Sequence, residues 1–185
     1  MRILLVATRP DDATAVETML VGDGHSVTTC TDNAGRPCRG AEVYDECPLE
    51  SSVDVTVIAR GAGVEQGLAE MGALCAVRHR VGVISIDPDH PAERSLYDMV
   101  DEVERDLCAD YESTVSDLIA PVVPPGTQAA VRVLRRDRDV QVSVLLSGRS
   151  DAITNAAIAD RARAGVRRHD RFANVIDVAV VQSAC

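Results

Sequence analysis

The 185-residue chain has no lysine and no tryptophan: all 19 of its strongly basic side chains are arginine, and its aromatics are Tyr44, Tyr97, Tyr111 and Phe172. Without lysine there is no Walker loop, which needs one at the β/γ-phosphates, and no Schiff-base chemistry. So few aromatic faces exclude a base-stacking nucleic-acid surface, and nucleic acid is not an expected partner. No G-x-G-x-x-G, G-x-S-x-G or H-E-x-x-H occurs either. Arg2 and the short apolar run beside it are too little for a signal peptide, and no stretch approaches membrane-spanning length. A cytoplasmic protein with no membrane partner is the expectation. Its core must then be Val, Leu, Ile and Ala, a palette that suits parallel strands covered by helices.

Charge is unevenly placed. Residues 1–97 carry 8 Arg against 15 acids, residues 98–126 carry 1 against 8, and residues 127–185 carry 10 against 6. Such asymmetry points to two parts of one protein, or two subunits, that attract each other. The expected partner is therefore a protein or a second copy of the chain. Association through exposed carboxylates and arginines would be salt-sensitive.

Apolar runs and turn residues divide the chain into elements. Ile3–Val6 reads as a first strand, and Pro10 with Asp11 and Asp12 opens a helix that stops at Gly22 or Gly24. His25–Cys30 and Val53–Ala59 are further strands. Val64, Leu68, Met71, Leu74 and Cys75 mark one face of a helix to about His79, in which Gly67 and Gly72 permit close approach to a sheet. Val81–Ile86 is a fourth strand. Residues 96–100 read either as a fifth strand or as the start of a helix capped by Ser95; helix signals then hold from Asp101 to Ile119. Ala120–Gly126, rich in proline, is the expected linker. Beyond it, 130–135 and 140–146 form a hairpin, Asp151 to about His169 a helix and Val175–Val181 a strand, a ββαβ order. The predicted organisation is a domain over 1–119, a linker at 120–126 and a small module over 127–185.

The rhythm of Met1–Val6, a proline-led helix, "GDGHSVTTC" and "VDVTVIAR" resembles the first half of a response-regulator receiver domain, over residues 1–86 and, as a domain, 1–119. The resemblance implies an α/β fold with a receiver-like, flavodoxin-like parallel sheet. The family's working residues are missing. Ala7-Thr8-Arg9 stands where a receiver has paired Mg²⁺-binding carboxylates, Ala59-Arg60 replaces the phospho-accepting aspartate, and the lysine that reads out a receiver's phosphoryl group has no counterpart. Ser85 sits near the switching hydroxyl. The segment "VLLSGRSD", "AAIADRARAGV", "NVIDVAVV" is similar to a BON-type module, which implies protein or lipid interaction and no chemistry. The combined expectation is a phosphorylation-incompetent pseudo-receiver with a ββαβ module. It would be a non-enzymatic signalling protein acting by docking, with no catalytic residue and no cofactor.

The cysteines offer the other reading. Cys30 ends the second strand, and Cys38 and Cys47 lie in the long segment after it, where a receiver has a helix. Three thiolates near a sheet edge, with His25, Cys75 or His79 as a fourth ligand, make a zinc, iron–sulfur or redox site the alternative function. Their spacings of eight and nine residues contain no C-x-x-C pair, and free cysteines are also ordinary small core residues. Asp11 and Asp12 read as exposed first-turn carboxylates, and His90 as a solvated loop residue. Ser147-Gly-Arg-Ser150 could cradle a phosphate, although capping of the following helix accounts for a serine there.

Overall fold

Four consecutive aliphatic side chains, Ile3 to Val6, are buried on both faces of β1 (Arg2–Ala7), as the centre of a covered parallel sheet requires. A computed structural model describes residues 1–30, 38, 47–90 and 94–182, and the chain divides into two units, 1–103 and 104–185.

In the first unit β1 leads into α1 (Pro10–Gly22), with proline in the first turn and Asp11 and Asp12 at the positive end of the helix dipole. Then come β2 (Ser26–Thr29), a 3₁₀ turn at Pro48–Glu50 and β3 (Val55–Ala59). A second 3₁₀ turn (Leu68–Glu70), α2 (Met71–Arg78) and β4 (Gly82–Ile86) follow. The strands form one all-parallel sheet in the order β2-β1-β3-β4, with Leu5 opposite Val57 and Val57 opposite Ile84. This is the flavodoxin-like order, and its topological switch lies between β1 and β3.

The two sheet faces are covered differently. Val16 and Leu20 of α1, with Leu96, Met99, Val100 and Val103, pack on Ile3, Leu5, Val55, Val57 and Ile84. On the other face α2 lays Ala73 and Ala76 against Leu4, Val6, Leu49 and Val53. A Cβ on Gly72 would stand 2.6 Å from Val6 Cγ1 and 2.8 Å from Cys30 Sγ, so only a bare backbone fits there. That close approach overturns part of the sequence reading. The helix begins at Met71, after the 3₁₀ turn at Leu68–Glu70, rather than at Val64, and it presents its small residues to the sheet. Of the large ones that marked a face, Leu68 is 88% exposed and Met71 and Leu74 are about half exposed, and Val77 is half exposed beside them.

Residues 96–100 are helical, resolving the strand-or-helix alternative. They open α3 (Leu96–Ile119), where Asp98 N donates to Ser95 Oγ at 3.2 Å. The division between units falls inside this helix, at Val103, ahead of the proline-rich segment expected as the linker. Val103 packs over Gly82 in the first unit. Tyr111, Val115 and Ile119 belong to the core of the second unit, so this stripe serves the carboxyl-terminal module.

The second unit pairs β5 (Ala129–Arg136) antiparallel with β6 (Asp139–Leu146). After α4 (Ala152–His169), β7 (Ile176–Gln182) runs parallel to β6, giving a three-stranded sheet in the order β5-β6-β7. Val140, Val142, Val144 and Leu146 alternate into the core against Ile158, Ala162 and Val166 of α4. Gln141 and Leu145 face outward, so one face of this sheet is wet. Among the described residues no helix is long and apolar enough to cross a membrane.

Candidate functional site

Ligand crevices in such sheets open at the carboxyl ends of the strands, at the switch point. Here that place is held by Thr8 after β1, Arg60 and Gly61 after β3, Asp12 in the first turn of α1 and Glu70 just before α2. Glu70 is fully buried. Arg60 embraces it with both ends of its guanidinium: Nε donates to Oε1 at 3.0 Å and the second nitrogen to Oε2. Thr8 Oγ1 donates to the same Oε1 at 2.7 Å and accepts from Gly67 N at 3.0 Å. A Cβ on Gly67 would meet Thr8 Cγ2 at 2.7 Å, so glycine is what allows that backbone to reach the hydroxyl.

Burial alone would push the Glu70 carboxyl up. The Arg60 hydrogen bonds, then the Thr8 bond and the arginine charge, outweigh it and hold the carboxyl below the usual range. Arg60 is raised in turn, chiefly by its hydrogen bonds to Glu70. The guanidinium remains 31% exposed while the carboxylate has no contact with solvent. This is a bidentate pair with a single open side, and its charges cancel in place.

Asp12 departs from the exposed first-turn reading. It is 7% exposed, and its Oδ2 accepts from Gly61 N at 3.3 Å. It therefore ties the start of α1 to the turn after β3. Asp89 approaches from the β4 side, since a Cβ on Gly61 would lie 3.5 Å from its Oδ2. His90 is exposed and lies 3.3 Å from Asp87 Oδ2, in keeping with a solvated loop residue. Ser85 is exposed on β4, opposite Ile58.

The sequence-predicted thiols fall on the α2 face. Cys30 is buried among Leu4, Val6 and Ala73, and Cys47 packs partly buried on the same cluster, as does Cys75. Cys38 and Cys47 are near enough to Cys75 for their charges to act on it. Among the described residues no group of three or more His, Cys, Asp or Glu is arranged to hold a metal ion. Of the stretch between Cys30 and β3, residues 31–37 and 39–46 lie outside the described residues.

At the head of α4 the cap is Asp151, which accepts from Thr154 N at 2.7 Å. Ser147 Oγ accepts from Gln128 N at 2.8 Å, and Ser150 bonds Asn155 and Gln182. Those hydroxyls are thus engaged within the module. The pairing that sequence reasoning missed is Arg60 with Glu70; its signal was an arginine directly after a buried apolar strand. No protein-family model matches the chain, and no curated protein matches it.

Proposed function

We propose that this chain is a non-enzymatic regulatory protein of the cytoplasm: a receiver-like unit without phosphoryl chemistry, acting by docking onto a second copy of itself. One observation carries the reading. At the end of β3 there is a guanidinium already neutralised by the buried Glu70 carboxylate. A phosphoryl donor arriving there finds no acceptor carboxylate on β3, and the chain has no lysine to hold the product.

Docking is supported by the outward side of α2, where Leu68, Met71, Leu74 and Val77 recur every third residue in the open. A contiguous exposed apolar row is an interaction surface more often than an accident, and a two-fold axis would bury the same row twice. Part of the arginine–carboxylate attraction expected between subunits is taken up inside the second unit, where Arg132 pairs with Glu112 and Arg135 with Glu104. The apolar row is therefore the main contact, and high salt should weaken association little. Light scattering across a concentration series tests this. The wild type should approach dimer mass, and Leu68→Asp combined with Leu74→Asp should stay monomeric with unchanged circular dichroism. A wild type that is monomeric throughout, or a variant that associates equally well, contradicts the proposal.

A further inference from the structure

The first unit has a cavity of about 440 Å³ on the sheet face opposite α2, between the end of α1 and the start of α3. Its wall is largely apolar: Met19 and Leu20 from α1, Ile86 from β4, and Leu96 and Met99 from α3. A concave, mostly apolar space of that size, with a few convergent polar groups, is what a small molecule needs. The polar groups enter from two helix ends of opposite sign. Asp23 follows α1 at its negative end, and no basic residue in the last turn of α1 answers that end. Ser95, Leu96 and Tyr97 bring in the positive end of the 24-residue α3. There Ser95 Oγ accepts from Asp98 N, while the N–H groups of Leu96 and Tyr97 have no acceptor among the described residues.

His25 is the independent sign of a ligand. It lines the cavity and is only 7% exposed. Its Nδ1 lies 3.3 Å from Met1 N, which can only donate, so Nδ1 accepts and the neutral ring carries its proton on Nε2. Among the described residues no group takes that Nε2–H. The ring meets Tyr97 edge-on at 5.7 Å between centroids, which ties it to the head of α3.

We propose that this cavity binds a free α-amino acid with an apolar side chain, a site independent of the docking reading. Its carboxylate takes the open N–H groups at the head of α3 and the Nε2–H of His25. Its ammonium takes Asp23, and its side chain lies among Leu20, Ile86, Leu96 and Met99. Arg94 at the rim is held by Glu102 at 2.7 Å, which leaves the carboxylate to those neutral donors. Helix ends of opposite sign on one cavity fit a molecule that is itself a dipole. A simple carboxylic acid would leave Asp23 unanswered, and an amine would leave the α3 donors so. A peptide terminus brings only one of the two charges.

Calorimetric titration of the full chain with L-leucine, L-methionine and L-phenylalanine tests this. At least one should bind one-to-one, and its N-acetyl and amide derivatives, each lacking one charge, should bind about tenfold or more weaker. Asp23 is exposed, so Asp23→Asn should leave the circular dichroism unchanged. It should weaken the amino acid about tenfold and leave the weak binding of the N-acetyl derivative as it was. Absence of saturable binding for all three amino acids, derivatives that bind as well as the parent, or undiminished binding by Asp23→Asn overturns the proposal.

Discussion

Glu70 in the first unit and Asp170 in the second are both buried carboxylates, and the two are satisfied by opposite means. In the first unit Glu70 faces a cation, Arg60, with Thr8 as a neutral donor. In the second unit Asp170, 3% exposed, accepts from neutral groups: Tyr111 OH at 2.7 Å on Oδ2 and Phe172 N at 2.8 Å on Oδ1. The Tyr111 ring also meets His169 edge-on at 4.4 Å between centroids. A cation answers charge with charge and fills a position where chemistry could otherwise occur. Neutral donors answer only hydrogen-bonding capacity, and they pin one helix to the chain after another. The first arrangement suits a closed site, the second a structural joint.

The contrast can be broken most forcefully at Arg60. Arg60→Ala leaves a buried carboxylate without its cation, which should cost about 3–5 kcal/mol at neutral pH. Hydrogen exchange of β1 and β3 amides localises that loss to the first unit. Replacing Glu70 with leucine in the same variant should recover most of it, because no buried charge is then left without its partner.

Tyr111→Phe is a smaller perturbation, removing one of the donors to Asp170. A loss of about 1–2 kcal/mol, read from exchange in β6 and α4, is expected.

Acid should act on the Glu70 arrangement directly. The Glu70 pKa is lowered on folding, so the unfolded chain binds its proton first. The stabilisation is complete above the ordinary carboxylate range and is lost as pH falls through the lowered value. In Arg60→Ala only burial and Thr8 remain, the carboxyl shifts up, and the slope changes sign: first-unit stability should fall as pH rises. Denaturant midpoints at several pH values distinguish these slopes.

The smallest effect belongs to the exposed i,i+3 pair of Arg163 with Asp160 on α4, at 2.9 Å. Asp160→Asn should change stability by about 0.5 kcal/mol or less, with the difference fading in salt.

Much of the fold was legible because apolar runs of strand length are punctuated by Gly, Pro and Asp. Ile3–Val6, Val55–Ala59 and Gly82–Ile86 are strands for that reason, and the alternation of 140–146 foretold the one-sided sheet. The outward turn of α2 was not legible, because hydrophobic periodicity tells of a face and not of where it points. Gly72, Ala73 and Ala76 form the closer-packing side, and small residues carry little weight in such a pattern. The Arg60–Glu70 pair was hidden for a related reason. Its members lie ten residues apart in different elements, and an acid before a helix ordinarily reads as solvated. Only burial distinguishes Glu70 from Glu65. The same holds for Asp12 beside Asp11, one turned under Gly61 and the other outward.

The central claim is that the switch point of this sheet is chemically closed by its own guanidinium and carboxylate. Incubation with acetyl phosphate and Mg²⁺, followed by intact mass spectrometry under acidic conditions that preserve acyl phosphates, addresses it most directly. The account predicts an unmodified chain at every donor concentration; a stoichiometric phosphoryl adduct mapping to Asp12, Glu70 or Asp89 would contradict it.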